Sequence, residues 1–172
     1  MKERLTPVVP ALQEAPSREA DFYAWLLYQA NELRSRQPNF IAWADLAEEL
    51  EEMAARTRDA LTSHLEQLFI HLLKLQYEPS ENERRMRSRQ WQLDTMEQRN
   101  RVNDLLSDSR TLRNVYDAFQ SKAYPRARRH VEVLLGARLT EALPMECPWT
   151  IAQIQDDDFF PSPASEPNGH SR

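Results

Sequence analysis

Two histidines, His64 and His71, stand in a leucine-rich stretch beside Leu61, Leu68 and Leu75, where imidazoles could serve a metal or exchange protons. On a helix their spacing is two full turns, about 10.5 Å, too far for both rings to hold one ion at about 2 Å. No histidine has a glutamate three residues before it, so the signature of carboxylate di-iron bundles is missing, and so is the zinc-protease pattern. The plainer reading is a core-edge histidine bonded to a neighbouring helix. Asp45, Glu48, Glu49 and Glu52 fall within about 100° of arc on one helix face. They read as an acidic metal or substrate patch, or as a solvated face neutralised by arginines of a basic segment. Arg84, Arg85, Arg87 and Arg89, followed by Trp91, would suit phosphate, as would Arg126, Arg128, Arg129 and His130. Glu81, Glu83, Asp94 and Glu97 interleave with the first cluster, which weakens a nucleic-acid reading. Cys147 precedes a short helix whose dipole could activate a thiolate; the alternative is a small buried anchor.

The elements that must position these groups are helices. The chain has 172 residues and only two glycines, Gly136 and Gly169, so neither a dinucleotide fingerprint nor a phosphate-cradling loop can be written. No stretch alternates apolar and polar residues as a strand would. A first helix is expected from Ser17, with a stripe of Phe22, Trp25, Leu26, Ala30 and Leu33; Arg36 faces its dipole, Pro38 ends it and Asn39 caps the next. From Phe40 to Tyr77 neither Gly nor Pro occurs, and apolar positions from Trp43 to Leu75 recur by threes and fours. A break is expected near Ala54–Thr57, where that stripe is weakest. A fourth segment spans Ser88 to Leu106, a fifth starts near Ser109, and Pro125 should end or kink it. A short helix follows Pro148. The expectation is all-α: a compact bundle of five to six helices with a short C-terminal helix and flexible termini. Residues 1–16 read as an arm, 17–161 as one helical domain and 162–172 as a tail.

Charge is unevenly spread: residues 1–80 and 141–172 each carry net −5, and residues 81–140 carry net +5. That pattern suggests complementarity between packed helices, an acidic second facing a basic fourth or fifth, rather than a dedicated nucleic-acid binder. No apolar run is long enough to span a bilayer, and the single cysteine fits a reducing compartment; the expectation is a cytoplasmic protein without membrane attachment.

Several blocks in order resemble a known family. They are DFYAWLLYQA at 21–30, WADLAEELEEM at 43–53, HLLKLQYEP at 71–79, SRQWQL at 88–93, EQR at 97–99, AY at 123–124, LPMECPWT at 143–150 and DDFFP at 157–161. The set is similar to the small bacterial proteins catalogued as domain of unknown function 29. The resemblance implies an all-α bundle and supplies no activity. One departure is Leu75, where that family tends to carry Trp. The leading functional expectation is a non-enzymatic protein-interaction or regulatory module, with a protein partner or self-association. The alternative is a small enzyme or ligand- or metal-binding domain using Glu48, Glu49, His71, Lys74 and Arg99 between helices. Nucleic-acid binding ranks third. No cofactor and no bound metal are expected.

Overall fold

The computed structural model describes residues 15–35, 43–136 and 142–164. Over these, six helices occur: α1 Phe22–Ser35, α2 Trp43–Tyr77, α3 Glu81–Ser107, α4 Arg110–Asn114, α5 Tyr116–Leu135 and α6 Ile151–Gln155. No strand is present among the described residues. The fold is all-α, as expected. Most of the expected arm and tail, and the assignments at Arg36, Pro38 and Asn39, lie outside the described residues. The chain divides into two compact units, Met1–Asp59 with Leu105–Asn114, and Ala60–Asp104 with Val115–Arg172.

In the first unit, Asp21 sets the start of α1. Ser17 closes only a single turn, its Oγ accepting from the Ala20 N–H at 3.1 Å. The helix begins five residues later than expected, at Phe22, because the Asp21 carboxylate takes the capping role, accepting from the Ala24 N–H at 3.0 Å. The same carboxylate accepts from the Ser109 hydroxyl and the Thr111 N–H, both at 2.7 Å. It thus ties α1 to the turn that opens α4, where Ser109 in turn accepts from the Leu112 N–H at 3.2 Å. The buried side of α1 is Tyr23, Ala24, Leu26, Leu27 and Ala30. Phe22 and Trp25 stack outside it, beneath the Arg18 guanidinium. Arg34 pairs with Glu51, joining α1 to α2.

The expected break in α2 does not occur; the helix runs unbroken for 35 residues. Ala47 and Ala54 are fully buried, so the weak part of the stripe is a place of close helix approach, not an interruption. Helix α3 starts seven residues before the expected Ser88. Ser80 caps it through the Glu83 N–H, and Glu81–Arg85 and Glu83–Arg87 pairs support a first stretch that lacks an apolar stripe.

In the second unit, α2 contributes Leu61, Leu65, Leu68, Phe69, Leu72 and Leu73 to the core. Each buried leucine contributes roughly 1.5–3 kcal/mol of transfer free energy. Phe69, Tyr124 and Trp149 form one aromatic cluster, with Phe69 stacked on Trp149 at 6.3 Å and Tyr124 edge-on to both. The expected fifth segment is two helices, α4 and α5. Pro125 lies inside α5 and does not end it. Proline has no N–H for the Ser121 carbonyl, but Ser121 and Pro125 are both exposed, so water can satisfy that group. The short last helix α6 carries a capping box, Thr150 with Gln153.

Burial pushes the Asp21 carboxyl up, and its bonds from Ala24, Ser109 and Thr111 outweigh that, leaving it below its ordinary value of 3.8. Its contribution is therefore complete above that value and is lost as pH falls through the depressed one. Asp21→Ala is expected to cost about 2 kcal/mol at neutral pH in urea unfolding. The gap to the native chain should narrow as pH falls below the ordinary carboxylate range; a gap independent of pH would show that the charge is not needed.

Candidate functional site

Arg99, on the buried side of α3, is fully excluded from solvent. Its guanidinium spends three donors on backbone carbonyls of the last turn of α6 and the segment that follows it: Nε to Ile154 at 2.8 Å, Nη1 to Asp157 at 3.1 Å and Nη2 to Phe159 at 2.7 Å. The Phe160 ring lies 5.4 Å from the guanidinium carbon. One turn along α3, Asn103 donates to the Gln155 carbonyl at 3.2 Å. Burial lowers the Arg99 pKa, and the Asp157 and Asp156 carboxylates oppose that. Arg99 thus fixes residues 156–164 as a strap, whose far end is held by the Ala164 N–H donating to the Gln76 carbonyl at 2.7 Å.

The strap forms one side of a cleft of about 480 Å³. Its floor and near wall are Leu75, Trp91, Phe160, Pro161 and Pro163; its rim is Glu81, Arg84, Arg85, Ser88 and Gln92 from the first turns of α3. Trp91 and Leu75 are buried, so the floor is firm. Arg85 is bound to Glu81 only through an exposed 3.5 Å pair, and Arg84 makes no ion pair among the described residues. A cleft with a rigid apolar floor and a few convergent polar groups is the usual form of a recognition site.

A second cluster joins α2 to α3 in the same unit. His71 Nδ1 is buried and makes no hydrogen bond, and Asp94 Oδ2 lies 3.8 Å away. Asp94 Oδ1 accepts from Gln90 at 2.8 Å. Burial lowers the His71 pKa; Asp94 opposes this and Lys74 adds to it. Lys74 is lowered as well, by burial, with Arg87 acting in the same sense and Asp94 and Glu78 against. His64 Nδ1 pairs with Gln98 at 2.9 Å across helices, the core-edge arrangement read from the sequence.

The five sequence-derived site residues fall into two groups. Glu48 and Glu49 belong to the first unit and are exposed; His71, Lys74 and Arg99 belong to the second. His71 and Lys74 come together around Asp94, and Arg99 is committed to the strap. None of the five lines the cleft beside the strap. The ion-pair partners of Glu49 and Glu52 come from Arg56 on their own helix, and that of Glu51 from Arg34 of α1; the expected complementarity of α2 with the basic fifth segment is met at Glu66, which lies 4.0 Å from Arg126 of α5. Cys147 is half-buried, and burial pushes its thiol up, so the short helix after it does not activate it. Among the described residues, no group of three or more His, Cys, Asp or Glu side chains is placed to hold a metal ion. Sequence reasoning missed Asp94, which read only as interleaved acid, and the strap wall. The one available signal was the co-occurrence of the EQR and DDFFP blocks, which Arg99 joins.

A family model described as "Domain of unknown function DUF29" matches residues 18–160. No curated protein matches the chain. Among solved structures, an alpha-helical protein of unknown function from Rhodospirillum rubrum is similar at a TM-score of 0.63 and 20% identity, covering 85% of this chain and 93% of that one. That likeness concerns the fold. No helix among the described residues is long and apolar enough to cross a membrane.

The His71 cluster makes a spectroscopic prediction. In a proton NMR titration, His71 should titrate below the ordinary 6.5. Asp94→Asn should move it lower still, since the one opposing charge is removed. An unchanged or higher value in that variant would show that Asp94 does not act on the ring.

Proposed function

Since the chain belongs to this family of unknown function, we propose from its own geometry that it is a non-enzymatic protein-interaction module whose recognition surface is the strap-walled cleft. The cleft carries the reading: an aromatic floor, a proline-bearing wall and a cationic rim are what a protein segment uses, and no residue set around it specifies a reaction. Arginine and tryptophan are the side chains that most often anchor such contacts. A second reading, binding of a small anionic ligand, is favoured by the convergence of His71 and Lys74 on Asp94, with Glu48, Glu49 and Arg99 outside that cluster. Nucleic-acid binding is disfavoured because Glu81 and Glu83 interrupt the run of positive charge that a phosphate backbone would need along this face.

A photo-crosslinking residue in place of Gln92, on the cleft rim, is expected to yield discrete protein adducts when the full chain is irradiated in its native cells. The same residue in place of Asp59, exposed in the other unit, is the control. Adducts from neither position, or equally from both, would overturn the cleft as an interaction surface.

A further inference from the structure

Resting on the interaction reading above, we infer that the occupant of the cleft is an acidic peptide segment carrying a bulky apolar side chain. The charge on the rim points to acid. Arg84 has no ion-pair partner among the described residues, and Arg85 is held only by Glu81, with both side chains about four-fifths exposed. An exposed pair of that kind contributes little, so Arg85 can exchange Glu81 for a partner's carboxylate at small cost. Guanidinium groups bind carboxylates through two parallel bonds, which gives direction as well as charge. The floor points to the apolar anchor. Trp91 and Leu75 are closed beneath and supported by the core, while Phe160 and the two prolines give a side wall without charge.

The wall also says how the segment is read. Pro161 and Pro163 carry no N–H, so the strap is not an edge to which a strand could be added by a backbone ladder. Recognition then rests on side chains: carboxylates at the Arg84–Arg85 rim and one large apolar group over Trp91. Ser88 and Gln92 supply neutral hydrogen bonding between them. A nucleic-acid strand fits less well, since its repeated phosphates call for a continuous run of positive charge, whereas a peptide with one or two carboxylates needs only Arg84 and Arg85.

The test is selection of a random twelve-residue phage-displayed peptide library on the full chain, with the Arg84→Glu, Arg85→Glu double variant as counter-target. The expected result is enrichment of peptides with clustered Asp or Glu beside Trp, Phe or Leu, binding the double variant at least about 10-fold more weakly. Groove-dependent peptides without acidic residues would overturn this inference and leave the interaction reading standing. If no enriched peptide, acidic or not, cross-links through the photo-reactive residue at the Gln92 position, both are overturned. Three controls address other occupants. Peptides recovered only from a chain cut after Ala164 would make residues 165–172 the occupant. A dimer in light scattering that the double substitution dissociates would make it a second copy. Displacement of the selected peptides by single-stranded DNA at physiological salt would make it nucleic acid. Each of these three results contradicts the proposal.

Discussion

A guanidinium in a protein interior is costly unless its donors are used, and Arg99 uses three of them on the backbone of one short segment. The arrangement works in both directions. The carbonyl of Ile154 lies in the last turn of α6, where helices leave acceptors without partners, and Arg99 supplies the missing donor. Without it, the carbonyls of Ile154, Asp157 and Phe159 would be left to find other partners. Asp156 and Asp157 complete the balance by favouring the charged form that burial disfavours. Lysine could not substitute, because a single ammonium on a flexible stem cannot span three carbonyls in a fixed fork.

From that interaction the site follows. Holding Phe159 and Phe160 places Pro161 and Pro163 opposite the first turns of α3, and the cleft is the space between. The α3 side is equally determined. Ser80 caps the helix, and the Glu81–Arg85 and Glu83–Arg87 pairs sustain turns that bury almost nothing before Trp91. A stretch held by exposed pairs is well suited to present side chains to a partner, since little of the core depends on it.

The helices were legible in the sequence because their buried faces repeat. Ala47, Ala54, Leu61, Leu65, Leu68, Leu72 and Leu75 mark α2 by spacing alone, and all are buried. Boundaries were less legible, since they rest on single polar contacts between distant residues. Ser17 looks like a better helix start than Asp21 until Ser109 and Thr111, about ninety positions on, prove to be bonded to that carboxylate. From the sequence Arg99 reads as a ligand-binding candidate, a charged residue in one of the blocks that carry the family resemblance. Along α3 it occupies the buried stripe with Trp91, Thr95, Val102 and Leu106, a position where charge is rarely placed. Which carbonyls it would find there is information no local pattern carries. The approach of His71 and Lys74 to Asp94 is of the same kind, set by how α2 and α3 meet.

The central claim is that Arg99 holds the strap on which the cleft depends, and amide hydrogen exchange in the Arg99→Lys variant tests it most directly. The Phe159 and Ala164 amides, bonded in the native chain to the Asp156 and Gln76 carbonyls, should exchange markedly faster in the variant. The amides of α2 from Leu61 to Leu73 should keep their protection. Unchanged protection at Phe159 and Ala164 in the folded variant would contradict the account.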